Sequence, residues 1–305
     1  MPQNIIEKIN TLKRKTNAVI LAHNYQIGEV QDIADFCGDS LELSRKAANC
    51  DADIIVFCGV KFMAETAAIL SPQKKVFLPD KPAGCPMADM INAEQLADLK
   101  KKHPDAVVVC YVNSTAEVKA RSDYCCTSSN AVDVVNSIEE DKEIIFVPDR
   151  NLGQVVKERT GRDMILWPGY CPTHVFATDD DVKRIQKEHP DAITLAHPEC
   201  PKAVRDCADA FLSTGQMLKF VRQSENKEFI IATEIGIIYT LKKQNPEKTF
   251  YPASEKFLCP NMKKITLEKV LFSLEDQKYV ITVPKDIADK ARTALDRMIA
   301  VLPKG

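Results

Sequence analysis

One apolar run returns three times along the chain at nearly the same interval. VILAHNY begins at Val19, VVVCYVN at Val107 and ITLAHPE at Ile193, 88 and 86 residues apart. Self-similarity at a fixed interval is the signature of repeated architectural units. Each run follows a polar amphipathic stretch: INTLKRKTNA, LADLKKKHPDA or VKRIQKEHPDA. A second apolar run follows in each unit (DIIVFCG, EIIFVPD, EFIIATE), then a third (KVFLPD, MILWPG, KTFYPA). Stretches of helical period lie between them, such as SLELSRKAANC, NAVDVVNSI and GQMLKFVRQS. Short strands alternating with amphipathic helices imply parallel βαβ units with right-handed crossovers. The expected fold is therefore α/β. Three pseudo-threefold-related, three-layer αβα domains (residues 1–88, 89–175 and 176–263) would surround a central site. The tail, 264–305, reads as a partial fourth unit, because Val280 stands 87 residues after Ile193. It is expected to pack back on the first domain.

Each full unit closes on Cys-Pro. Cys85, Cys171 and Cys259 stand 86 and 88 residues apart, each after the third apolar run of its unit. Cys200-Pro201 is outside this series, since it follows a first run. Of the eleven cysteines, Cys37, Cys50, Cys58 and Cys110 have apolar neighbours and read as small core residues. Cys125, Cys126 and Cys207 lack repeat partners and read as structural. An odd count in a long chain argues against a disulfide framework. The start, MPQNIIEKIN, lacks the pattern of a signal peptide, so a cytoplasmic location is expected. No apolar run reaches the roughly 18 residues of a membrane span. Lys and Arg number 41 against 43 Asp and Glu, which leaves no basic surplus for nucleic acid.

Parallel αβα sheets bind ligands beyond the carboxyl ends of their strands. Three such sheets around one axis would bring Cys85, Cys171 and Cys259 to a common centre. Three thiolates suit a soft metal or an iron–sulfur cluster. A structural zinc site more often takes four ligands with local CxxC pairs, and no CxxC occurs in the 305 residues. Three ligands on a four-iron cluster leave one iron open as a Lewis acid. Duplication alone would also repeat three buried thiols, but it would preserve apolar residues there equally well. The first strands add polar ends at equivalent positions: His23, Tyr111 and His197, then Tyr25, Asn113 and Glu199. Seventeen residues after the first trio come Ser40, Ser128 and Thr214, each just before a helical pattern. These hydroxyls are expected to cap helix N-termini and to help hold a carboxylate or phosphate. Cys171-Pro-Thr-His174 looks like half of a zinc motif without a partner pair, and His174 is expected to face the site. His103 and His189 read as surface turns. Arg150 and Glu234, at the ends of second strands, are candidates to reach the cleft.

Taken together, LAHNYQ, GDSLELSR, CYVNS, TSSNAV, WPGYC, LAHPEC, STGQM, ATEIG and the three cysteines resemble the quinolinate synthase (quinolinate synthetase A) family over nearly the whole chain. The resemblance implies a [4Fe–4S] cluster on Cys85, Cys171 and Cys259, with the fourth iron free for substrate. It implies a dehydrating condensation of iminoaspartate with dihydroxyacetone phosphate to quinolinate, phosphate and water, on the route to NAD. An L-aspartate oxidase or dehydrogenase would supply the iminoaspartate, with no nucleic acid or membrane partner. His23, Ser40, Tyr111, Asn113, Ser128, His197, Glu199 and Thr214 would hold substrate. Tyr25 and Glu199 would serve as acid–base groups, with desolvation raising Glu199 toward neutral pH. The alternatives are another hydro-lyase with an open-iron [4Fe–4S] cluster, a non-catalytic cluster carrier or sensor, and a metal-free duplicated scaffold.

Overall fold

The computed structural model describes residues 2–301. The outer limits of the expected first and last units, Met1 and 302–305, lie outside the described residues. Twelve strands form three parallel sheets of four. The first holds β1 (Ala18–His23), β2 (Phe36–Gly38), β3 (Ile54–Cys58) and β4 (Lys75–Phe77). The second holds β5 (Val107–Tyr111), β6 (Tyr124–Cys126), β7 (Ile144–Val147) and β8 (Ile165–Leu166). The third holds β9 (Ile193–Ala196), β10 (Ala210–Phe211), β11 (Glu228–Ala232) and β12 (Thr249–Pro252). The spatial order is the same each time: β2-β1-β3-β4, β6-β5-β7-β8 and β10-β9-β11-β12. The register repeats as well, with Val19 opposite Ile55, Val107 opposite Ile144 and Ile193 opposite Phe229. β3 and β7 are buried at every position, as the near-continuous apolar runs of a sheet covered on both faces require.

The sequence patterns give three strands per unit, and the structure has a fourth. β2, β6 and β10 are edge strands of two or three residues, too short to carry a periodic signal. Each is preceded by an aspartate whose side chain accepts a backbone N–H from the neighbouring first strand. Asp35 accepts from Ile20 at 2.7 Å, Asp123 from Val108 at 2.8 Å and Asp209 from Thr194 at 2.8 Å. These aspartates stand at the repeat interval, which is the sequence signal for the missing strands.

In each unit the order reverses between the first and second long strands. The crevice at such a switch point opens at their carboxyl ends. Those ends carry His23–Tyr25 with Val60, Tyr111–Asn113 with Asp149, and His197–Glu199 with Glu234. The tail differs from a fourth unit. Its strand is a single antiparallel bridge, Val280 to Phe77, so it borders β4 and starts no sheet. Helix Leu267–Asp276 packs on helix Pro2–Lys15. Helix Lys285–Ala300 lies across units one and two, against helix Lys61–Leu70 and β6. Its Met298 carbonyl accepts from Asn130 Nδ2 at 3.0 Å, and Arg297 donates to the Asp123 carbonyl at 2.8 Å.

Candidate active site

The carboxyl ends of all three sheets line one cavity of about 300 Å³. Unit one contributes His23, Tyr25, Ser40 and Cys85. Unit two contributes Tyr111, Asn113, Ser128 and Cys171. Unit three contributes His197, Glu199, Thr214 and Cys259. His174 and Glu234 also line it, whereas Arg150 does not and instead stacks on Tyr170. His103 and His189 end helices away from the cavity, His103 facing Glu143 and His189 stacked on Tyr251.

The hydroxyl trio is placed differently from the capping expected of it. Asp39 and Ser213 are the N-caps, each completing a capping box, with Glu42 and Gln216 respectively. Ser40 and Thr214 are the first helical residues. Unit two differs: its helix begins at Ala131 with Asn130 as an N-cap that makes no side-chain cap, so Ser128 lies in the turn before it, where Thr127 Oγ1 accepts the Ser129 N–H at 3.2 Å. In units one and three the caps thus satisfy the first-turn donors, which leaves the next hydroxyl on the cavity wall. The caps also join the units: Ser129 Oγ donates to Asp39 Oδ2 at 2.5 Å and lies 2.9 Å from Ser213 Oγ.

The histidines are tuned by burial. His23 and His197 are desolvated and pushed down to about 3, despite the Glu199 carboxylate nearby. Both rings are therefore neutral at pH 7, and the 3.5 Å approach of His197 Nδ1 to Glu199 is no ion pair. His23 Nδ1 accepts the Tyr25 N–H at 3.1 Å, and His197 Nδ1 accepts the Glu199 N–H at 3.2 Å. A neutral ring accepting at Nδ1 carries its proton on Nε2. Each is then a fixed donor, and His197 Nε2 lies 3.2 Å from Ser128 Oγ.

Glu199 reverses an expectation. Burial acts to raise it, but His174 beside it, with hydrogen bonds from His174 and Tyr111, overcomes burial and holds it down to about 2. His174 Nδ1 is 2.8 Å from Glu199 Oε2, and Asn113 Nδ2 is 3.3 Å from Oε1. Desolvation alone is therefore the wrong guide, because the carboxylate is fully partnered. Tyr25 moves the other way. Burial and the nearby Glu199 raise it well above 10, so it stays a phenol, 2.7 Å from Thr233 Oγ1. Asn113 Oδ1 is buried in the cavity wall without a hydrogen-bond partner. Such a group is costly unless a ligand satisfies it.

The three cysteines are free thiols. Burial raises Cys85 to about 12, Cys171 well above its ordinary value, and Cys259 upward as well. A soft metal group would have to displace those protons, and would in turn relieve the desolvated thiolates. Among the described residues, the one set of three donors within 4.8 Å of one another is Cys171, His174 and Glu199, which could hold a single ion. Cys85 and Cys259 line the same cavity but stand outside that set.

The neutral histidines have a consequence for stability. Their folded pKa is depressed, so an unfolded chain binds two more protons than the folded one from about pH 6.5 down to about 3. Stability falls as pH falls through that window, by about 1.4 kcal/mol per pH unit for each ring. Lowering the pH of the metal-free chain from 7.5 to 5.5 is therefore expected to remove about 3 kcal/mol. Urea titrations would show it, and the double substitution His23→Asn/His197→Asn should flatten the slope. An equally steep slope in the double variant would assign the loss elsewhere. Glu199 does not contribute here, since its stabilisation is lost only below about pH 4.5.

Comparisons with known proteins agree with this geometry. A family model described as Quinolinate synthetase A protein matches residues 7–300. The quinolinate synthase of Dehalococcoides mccartyi (strain CBDB1) is 55% identical over 298 residues, covering 98% of each chain. That of Thermodesulfovibrio yellowstonii is 52% identical, covering 99% of this chain and all of its own. Quinolinate synthase 2 of Methanosarcina acetivorans is 54% identical, covering 97% of this chain and 96% of its own.

Proposed function

Since the chain belongs to the quinolinate synthetase A family, we propose that it condenses iminoaspartate with dihydroxyacetone phosphate to quinolinate, phosphate and water. The observation that carries this is the convergence of Cys85, Cys171 and Cys259, one from each repeat, on the cavity that also holds the polar strand ends. We assign the three cysteines as ligands of a [4Fe–4S] cluster with one iron left open. When bound, such a cluster supplies a Lewis-acidic iron that eases loss of hydroxide from carbon.

The protein's own groups account for the rest. The substrates bring carboxylates and a phosphate, yet no Lys or Arg lines the cavity among the described residues. Anion binding therefore falls to neutral donors and helix N-termini. Ser40 and Thr214 open ten-residue helices, whose first turns favour negative charge. His23 and His197 offer Nε2–H donors, and Tyr111, Asn113 and Ser128 complete the wall from unit two. Tyr25, held as a phenol, can give a proton to a leaving hydroxyl. Glu199 is present as a carboxylate, so it enters as a proton acceptor. It is a weak base while His174 stays bound to it, and becomes stronger when substrate takes over that contact. Imine supply is the task of an L-aspartate oxidase or dehydrogenase, and the cytoplasm is the fitting compartment. Among the described residues no helix is long and apolar enough to cross a membrane.

The test is an anaerobic assay with iminoaspartate and dihydroxyacetone phosphate on iron- and sulfide-reconstituted protein. Quinolinate and phosphate in equal amounts are expected. A reconstituted, iron-loaded chain that makes neither would remove the proposal.

A further inference from the structure

Glu234, at the switch point of unit three, is wholly buried. Its Oε1 accepts the backbone N–H of Cys259 at 3.1 Å, and its Oε2 accepts that of Gly236 at 2.7 Å. Lys263 Nζ lies 2.8 Å from Oε1 and 3.1 Å from Oε2. The same ammonium donates to the backbone carbonyl of Tyr25, in unit one. One ion pair thus touches the peptide of a proposed cluster ligand and the peptide of the proposed proton donor, which stand 234 residues apart in the chain.

The repeats show that this is a local addition to a shared position. The residues equivalent to Glu234 are Asp149 in unit two and Val60 in unit one, each five places past the strand residue paired with the first apolar run. Asp149 is also wholly buried, caps its helix at Leu152 N (2.8 Å) and interacts favourably with the Cys171 amide, though its Oδ2 keeps no hydrogen-bond partner. Val60 can do none of this, and the chain beside it closes through Lys61 N to the Ala83 carbonyl at 2.8 Å. Four residues after the cysteine, where unit three has Lys263, units one and two have Asp89 and Val175. Only unit three has both charges. Gly236 makes room for them, since a Cβ there would lie 2.6 Å from Lys263 Nζ, 2.7 Å from the Tyr25 carbonyl oxygen and 2.8 Å from Glu234 Oε2.

We infer that the Glu234–Lys263 pair is a positioning device that holds the Cys259 ligand loop and Tyr25 in one fixed relation across the cavity. It rests on the cluster and proton-donor assignments above. Groups of this kind, which orient a ligand without being one, commonly change metal retention or activity by 10–100-fold when removed. A buried pair is also poor evidence of a purely stabilising role, because desolvation of both charges offsets much of their attraction.

The experiment uses reconstituted wild-type protein, Cys259→Ala, Glu234→Gln, Lys263→Met and the Glu234→Gln/Lys263→Met double variant. Iron per chain, the half-time of cluster loss to excess chelator, kcat, KM and thermal midpoint are measured for each. Glu234→Gln and Lys263→Met are expected to fill with iron but to lose it about tenfold faster or more. Their kcat should fall with KM changed less than about threefold, since substrate contacts remain. The double variant should be no worse than the worse single one, as for residues acting as a unit. Wild-type cluster lifetime and kcat in both single variants, with only the thermal midpoint lowered, overturn the inference. Wild-type protein that takes up no more iron than Cys259→Ala overturns the cluster assignment itself, and the device with it. If Lys263→Met does not fold, Gly236→Ala forces the same groups apart without removing a charge. Faster cluster loss is again expected there, and an unchanged half-time again overturns the inference.

Discussion

Cys85→Ala, Cys171→Ala and Cys259→Ala should each give a folded, colourless chain that forms no measurable quinolinate. All three thiols line the cavity and none is in a disulfide. In the proposed assignment each is one of three protein ligands, so the loss of one would leave two, too few to hold an open-iron cluster. The fold should survive, because the sheets are built from other residues and none of the three is among the fully buried side chains. Visible absorption, iron and sulfide analysis and the assay together check this. Cys207→Ala is the control: that thiol is on a helix-following turn, bonded to the Ala203 carbonyl, and does not line the cavity. It should keep full iron and full rate. Iron content in Cys85→Ala equal to that of the control would mean that the cysteines recur only because the units do.

Tyr25→Phe and Glu199→Gln should keep the cluster and lose turnover by about 10²–10⁴-fold, the usual range for a lost general acid or base. The phenylalanine keeps the buried ring and removes only the hydroxyl that meets Thr233. Thr233 retains a partner, since His174 Nε2 lies 2.8 Å away, so no buried polar atom is orphaned. Glutamine at 199 keeps the shape but removes the negative charge that faces His174 and Tyr111. A kcat effect with unchanged iron content separates chemistry from cluster assembly. Near-normal kcat in both variants would take the two residues out of the mechanism.

How far the sequence reaches is clearest at particular residues. The first and second apolar runs become β1, β3 and their counterparts, because a strand buried on both faces must be apolar at nearly every position, and the third runs become β4, β8 and β12 at one edge of each sheet. The opposite edge strands, β2, β6 and β10, escape that logic. They are too short to have a period, and their marker is an aspartate side chain, not a hydrophobic run. Spacing singles out Ser40, Ser128 and Thr214, but in units one and three the cap is the residue before, because helix entry is decided by backbone geometry one position earlier, and in unit two the helix starts only at Ala131. Thr233 and the Glu234–Lys263 pair were not read from sequence as parts of a network. Their partners lie in other units, and no local spacing marks a contact made across an axis.

The repeat interval, the Cys-Pro at the end of each unit and the polar strand ends are enough, by themselves, to determine three parallel αβα units with their reactive residues at one end of each sheet. Chain connectivity imposes this, since a parallel strand order with helical crossovers places every strand's carboxyl end on the same side. The charge state of those residues was decided only by the tertiary structure. Glu199 is held low, against its burial, by His174 and Tyr111 of unit two, and Tyr25 is held high by burial together with Glu199 of unit three. Ionisation responds to burial and to charges within a few ångströms, and those distances do not exist until the three units close on a single cavity.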